Sequence, residues 1–190
     1  MPEWWTEALI EHVRERGAAG AAPLAVLDLC AGSGAVGVAI AKQCPDATVA
    51  FGEIDLAHLA TIERNIRENG INPARVRVRR GDLLRPFPHE RFDIIAANPP
   101  YVPETRELDP SVTAFEPHRA LFAGDDGLSV IRRIVKNARH HLMPDGELWL
   151  ECDIDNAEAA TELMAGAGAA YTALRNDIYG RPRLAVGYYP

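Results

Sequence analysis

Phe92-Asp93-Ile94-Ile95-Ala96-Ala97-Asn98-Pro99-Pro100-Tyr101 joins a buried strand to a rigid polar corner. Its first half is a short apolar run, the kind a parallel sheet buries on both faces. Its second half stops the strand abruptly. Pro99 and Pro100 have no N–H for a ladder, and each holds φ near about −65°. Asn98 precedes a proline and is pushed into extended or polyproline geometry. A stiff corner at the carboxyl end of a strand is where open α/β sheets bind ligands. This corner is rich in acceptors. Asn98 adds a side-chain carbonyl, the prolines add carbonyls without N–H groups, and Tyr101 adds a flat face. It suits a planar group that bears an NH2.

Upstream, Leu24-Ala25-Val26-Leu27-Asp28 reads as the first buried strand, and an apolar helix ends near Gln43. Between them lies Leu29-Cys30-Ala31-Gly32-Ser33-Gly34-Ala35-Val36-Gly37. Glycines in such a turn let backbone approach a ligand, and the helix N-terminus offers free N–H groups. Gly32-x-Gly34-x-x-Gly37 also matches the dinucleotide fingerprint. The preceding Asp28 favours a cation, because its carboxylate repels a pyrophosphate and attracts an ammonium or sulfonium. The second strand, Thr48 to Glu53, also ends in an acid. Glu53 lies 19 residues beyond Gly34, the spacing of a carboxylate that grips ribose hydroxyls. Asp55 reads as the N-cap of a helix from Leu56 to about Asn69. A third strand, Arg75 to Arg80, leads into Gly81-Asp82-Leu83. Its arginines read as one solvated face of a strand in preference to a nucleic-acid strip. Four strands therefore end in Asp28, Glu53, Asp82 and Asn98, all facing one crevice.

The remaining elements fill out one domain, residues 1–190, with 1–22 as an N-terminal helix and its connection. Trp4 and Trp5 on that helix are expected to cover a sheet edge. Val102 to Asp126 shows no period and contains three prolines, as a functional loop does. A helix follows over Leu128–Leu142, then a turn at Met143-Pro144-Asp145-Gly146. A fifth strand spans Glu147–Cys152, a helix runs from about Asn156 to Met164, and Ala170–Asn176 and Arg183–Tyr189 form a terminal antiparallel pair.

Composition narrows the function. The net charge of −7 disfavours non-specific grip on nucleic-acid phosphates. Three isolated cysteines, Cys30, Cys44 and Cys152, lack metal or disulfide spacing and read as cytosolic thiols. His140-His141 reads as the basic end of a helix, so no metal is expected. No apolar run is long enough for a membrane span, and no signal peptide opens the chain.

The Asn98–Tyr101 tetrad resembles the motif of amino-methyltransferases that act on adenine N6, cytosine N4 or glutamine N5. Asp28-Leu29-x-x-Gly32-Ser33-Gly34 resembles the first motif of Rossmann-like methyltransferases. The order of Asp28–Gly34, Glu53, Gly81-Asp82, Asn98–Tyr101, Phe115-Glu116-Pro117-x-x-Ala120-Leu121 and Tyr179-Gly180-Arg181-Pro182-Arg183 is similar to that of the HemK/PrmC family of protein-(glutamine N5) methyltransferases. The likeness runs from about Thr6 to the end. It implies a class I methyltransferase, an α/β fold with a mostly parallel seven-stranded sheet and a terminal antiparallel pair. It implies S-adenosyl-L-methionine as cofactor. Asp28, Cys30, Ala31, Gly32, Ser33 and Gly34 would hold its methionine part, Glu53 its ribose, Asp82 and Leu83 its adenine, with Asn98 beside them. Asn98, Pro99 and Tyr101 would be catalytic. Asn98, Pro99, Pro100, Tyr101, Phe115 and Glu116 would bind the substrate, the Gly-Gly-Gln glutamine of a peptide-chain release factor in the cytoplasm.

Two departures stand out. Bacterial members carry a helical N-terminal domain ahead of the catalytic one, and this sequence reads as the catalytic domain alone. Cys30 or Ala31 stands where members usually have a glycine. Three other readings remain. An N6-adenine methyltransferase shares the tetrad but needs a basic face. An NAD-dependent oxidoreductase explains the glycines but not the tetrad. A non-catalytic binding subunit has no reason to keep the acids.

Overall fold

β1 (Ala25–Leu29) and β4 (Phe92–Ala97) lie side by side and parallel, with Val26 opposite Ile94 and Leu29 opposite Ala97. Nearly every side chain in both is buried, so neither strand can sit at an edge. β2 (Thr48–Glu53) pairs parallel with β1, and β3 (Val76–Arg80) pairs parallel with β2. On the other side β4 pairs parallel with β5 (Leu142–Glu151). β7 (Pro182–Tyr189) then inserts antiparallel between β5 and β6 (Tyr171–Asn176). The seven-stranded order is β3-β2-β1-β4-β5-β7-β6, so successive strands are added outward to one side from β1 and to the other from β4. The computed structural model describes residues 3–20, 22–109, 111 and 117–190.

Helices cover both faces of the sheet. α1 (Glu3–Ala19), α2 (Ala35–Gln43) and α3 (Leu56–Glu68) pack with Val26, Phe51, Ile94, Trp149 and Val186. The opposite face packs Leu27, Ile95, Leu148 and Ala185 against α5 (Ser129–His141) and α6 (Ala157–Gly166). A one-turn helix α4 (His118–Leu121) lies between β4 and α5. Each fully buried Leu, Ile or Val contributes about 1.5–3 kcal/mol, so this double face drives the fold.

Two expectations change. Trp5 does not cover an edge. It is fully buried within the α1–α3 side of the core and donates to Glu151 at 2.7 Å. The residues expected as a turn before β5 instead bulge out of it. Phe92 pairs with Leu142, Ile94 pairs with Glu147, and Asp145 takes φ 59° between them. Pro144 cannot join the ladder, so the excess residues loop out while the strand resumes. In the segment after the tetrad, the described ends are also tied together by backbone pairing. Val102 donates to the carbonyl of Leu121, and Ala123 donates to that of Val102, both at 2.9 Å.

Two of the three arginines of β3 serve the fold. Arg77 and Arg79 each reach Glu90 at 2.7 Å and lie over the rings of Phe92 and Phe87. Among the described residues no helix is long and apolar enough to cross a membrane, and no cluster of His, Cys, Asp and Glu could hold a metal.

α2 reaches the sheet closely because Gly37 has no side chain. A Cβ there would lie 2.4 Å from Cε1 of Phe51 and 3.0 Å from Cβ of Asp28. Gly37→Ala should lower stability by about 1–3 kcal/mol in urea unfolding. An unchanged midpoint would mean that α2 can move away from β1 and β2.

Candidate active site

Parallel strands deliver their carboxyl ends to one edge, and here four neighbouring strands end in polar groups. Asp28, Cys30, Ala31, Gly32, Ser33, Glu53, Asp82, Leu83, Asn98 and Pro100 line a single cleft of about 540 Å³. Asn98 thus shares a cavity with all three strand-end acids. Gly34 lies behind the wall, in the left-handed conformation (φ 77°) that starts α2. Pro99 and Tyr101 lie off the cleft lining. Phe115 and Glu116 lie outside the described residues.

The turn after β1 is held by charge as well as by glycine. Cys30, Gly32 and Gly34 all have positive φ. Gly32 can adopt this freely, whereas for Cys30 it costs on the order of 1–2 kcal/mol. The Gly32 N–H donates to Oε2 of Glu53 at 2.7 Å. The N–H groups of Ile54 and Asp55 donate to its Oε1, both at 2.8 Å. Glu53 is therefore a buried, prealigned carboxylate, with accepting capacity left on Oε2. Burial pushes the neighbouring Cys30 thiol up to about 12, helped by Glu53, Asp28 and Asp82, so it stays a neutral lining group.

Asp28 is 2% exposed and accepts the Gly37 N–H at 2.8 Å. Burial raises its carboxyl to about 7, against the lowering effect of that hydrogen bond and with help from Glu53. A cation brought beside it would restore ionisation. Asp82 accepts from Nη2 of Arg133 at 2.5 Å, and Arg85 stands 3.6 Å away. The carboxylate assigned to an adenine amine already has a cationic partner. Asp55 accepts from the Ala57 N–H as the N-cap of α3, and it also lines the cleft.

At the tetrad, no described residue hydrogen-bonds the Asn98 side chain, which is half-buried at the cleft wall. Tyr101 turns inward. Its hydroxyl accepts from Arg183 at 2.9 Å, and burial together with Glu151 raises the phenol against the opposing effect of Arg183. Sequence reasoning missed Arg133 and Val130 of α5 and His58 of α3. Arg133 occupies a polar position of an amphipathic helix, where nothing local separates a cleft residue from a solvated one. Only the crossing of α5 over the strand ends does so.

Residues 5–115 match the family model described as Methyltransferase small domain. A release factor glutamine methyltransferase of Bordetella pertussis is 40% identical over 190 residues, covering 99% of this chain and 69% of that protein. The chain belongs to the release factor glutamine methyltransferase family. A ribosomal protein uL3 glutamine methyltransferase of Bradyrhizobium diazoefficiens is 43% identical over 127 residues, 66% of this chain and 40% of that one. The crystal structure of a ribosomal protein L11 methylase from Lactobacillus delbrueckii subsp. bulgaricus aligns with a TM-score of 0.66 at 20% identity. The alignment covers 98% of this chain and 80% of that one and shows the shared fold. Membership makes the chain a methyltransferase of the class I architecture seen in its sheet.

The raised Asp28 carboxyl has a sign that can be checked. The folded state binds a proton that the unfolded state has already released, so this group's contribution to stability falls as pH rises from about 4 to about 7. Thermal melts of the wild type should show that slope more steeply than Asp28→Asn, with the difference levelling above pH 7. Parallel curves for the two proteins would remove the shift.

Proposed function

We propose that this chain transfers a methyl group from S-adenosyl-L-methionine to the side-chain amide nitrogen of glutamine in the Gly-Gly-Gln tripeptide of a peptide-chain release factor. One observation carries the reading. The acceptor corner of Asn98 and Pro100 opens into the same cleft as Asp28, Glu53 and Asp82. The three strand-end carboxyl groups, with Asp55 beside them, outnumber the Arg133 cation and make that cleft hospitable to a sulfonium, and its volume suits a cofactor of nucleoside size.

The cofactor supplies an electrophilic methyl group on a positively charged sulfur. Glu53 would take the ribose hydroxyls through its open Oε2 positions. Asp82 and Leu83 would take the base, with Asp82 sharing its charge between Arg133 and the adenine amine. Asp28 and the Cys30–Gly34 turn would hold the amino-acid part, and the cation would favour ionised Asp28.

An amide nitrogen is a weak nucleophile because its lone pair is delocalised into the carbonyl. Oδ1 of Asn98, at the cleft wall, accepts one of its N–H bonds and draws it toward a tetrahedral shape, with the lone pair facing the cofactor side of the cleft. The rate comes from that orientation and from fixed dipoles in place of water. After transfer the nitrogen loses a proton to solvent, and no general base is assigned.

Family membership supports glutamine as the target, and the relative named for ribosomal protein uL3 offers a second protein bearing one. Pairing of Arg77 and Arg79 with Glu90 weakens the nucleic-acid reading, since it removes those two arginines from phosphate contact.

Incubation with labelled S-adenosylmethionine and a release factor, followed by mass mapping, should place the methyl on the Gly-Gly-Gln glutamine. Methylation confined to an oligonucleotide, or to a ribosomal protein, would replace the proposed substrate. Asn98→Ala should cut kcat by on the order of 10²–10³ while cofactor affinity changes little. Glu53→Ala should weaken cofactor binding by about tenfold to a hundredfold in calorimetry, the loss of one charged hydrogen bond. Equal affinity would take Glu53 out of the site.

A further inference from the structure

Arg183 belongs to the Tyr179–Arg183 segment that distinguishes this chain's likeness to its family, yet it lies off the cleft lining. Its role lies one layer behind. Nη2 donates to the Tyr101 hydroxyl at 2.9 Å and to Oε1 of Glu151 at 3.3 Å. The guanidinium also stands over the Tyr101 ring, 5.3 Å from its centre. Glu151 is 1% exposed, and its other oxygen accepts from Nε1 of Trp5 at 2.7 Å. Burial raises the Glu151 carboxyl and Arg183 does most to lower it again, so moving Arg183 into solvent would remove the cation that supports the charged form.

The far end of the tetrad is gripped twice. Beyond the phenol, the Tyr101 carbonyl accepts from Nδ2 of Asn156 at 3.2 Å. Gly127 packs so closely on it that a Cβ there would lie 2.2 Å from the oxygen. The near end is held by the β4 ladder, which runs to Ala97. Between the two lie Asn98 and two prolines whose φ angles cannot vary. Fixing Tyr101 therefore removes most of the remaining torsional freedom from Asn98.

We propose that Arg183 is the positioning residue of the methyl-transfer corner: it locks the Tyr101 ring, and thereby Asn98, and takes its own place from Glu151 and Trp5. This rests on reading Asn98–Tyr101 as the transfer site. Arg183 touches neither substrate nor cofactor. Its effect falls on geometry, and misplacement of a reacting group by about 1 Å can cost on the order of 10²-fold in rate.

The test compares Arg183→Met, Arg183→Lys and Tyr101→Phe, with and without Arg183→Met. Turnover on a release factor, S-adenosylmethionine affinity and thermal midpoint are measured for each. Arg183→Met should lower kcat by on the order of 10–10²-fold, with cofactor affinity within about twofold of wild type. Arg183→Lys should recover part of that loss by restoring a cationic donor. In the Tyr101→Phe background Arg183→Met should cost much less, because the hydrogen bond it removes is already gone. A lowered midpoint with wild-type kcat, or an equal loss in both backgrounds, would overturn the proposal.

A second readout keeps the result separate from the substrate assignment. With 13C-labelled tyrosine, the ring signal that disappears in Tyr101→Phe should shift in Arg183→Met and return toward its place in Arg183→Lys. If wild type methylates no glutamine, the functional reading falls while this signal still decides the placement. A Tyr101 signal unmoved by Arg183→Met sinks the positioning role.

Discussion

The parallel pairing of β1 with β4 is the constraint on which everything else depends. Leu29 lies opposite Ala97, so the turn at Cys30 and the corner at Asn98 leave the sheet side by side. The order in which strands are added reverses at this parallel pair, which opens a crevice between connections that diverge to opposite faces. A register slip of one residue would turn every side chain of either strand to the other face. Both faces are packed with Ile, Leu, Val and aromatic groups, so such a slip would disrupt two cores at once.

Charge is organised around the same crevice. Glu53 spends three backbone N–H contacts on holding the Gly32 turn and its own exit loop. Asp28 accepts from the first turn of α2. Asp82 is paired with Arg133. Each acid therefore has a structural duty as well as a surface toward the cleft, and together they create a negative pocket within a largely apolar edge. A pocket built this way is ordered before a cation enters it, and it gains most from a ligand that carries positive charge. The same burial that prealigns Asp28 also raises its carboxyl to about 7, so the protein carries an electrostatic penalty that a bound cation would relieve.

Stiffness at the tetrad has two sources. The prolines act locally and without partners, since ring closure alone limits their torsions. The grip on Tyr101 is tertiary. It draws on Gly127 before α5, Asn156 before α6, Arg183 on β7 and, through Glu151, Trp5 on α1. Elements spread from one end of the chain to the other thus converge behind four residues.

Features that depend on neighbouring residues can be read from the order of amino acids alone. Buried strands, glycines at a tight turn, acids at strand ends and a proline stop are all local, so the alternation of strands and helices was legible, and the family resemblance implied the seven-stranded sheet. Also legible was the meeting of Asp28, Glu53, Asp82 and Asn98 at one edge, because parallel strands in one sheet share a direction. Tertiary structure alone decided which side chains meet across the chain. Arg183 and Tyr101 are 82 positions apart, and Arg133 and Asp82 are 51. No periodicity marks such partners, since an arginine on a polar face looks the same whether it meets water or a carboxylate. The inward turn of Tyr101, the bulge before β5 and the burial of Trp5 follow from the same cause. Each is set by what packs against it, and that is fixed only when distant segments compete for the same space.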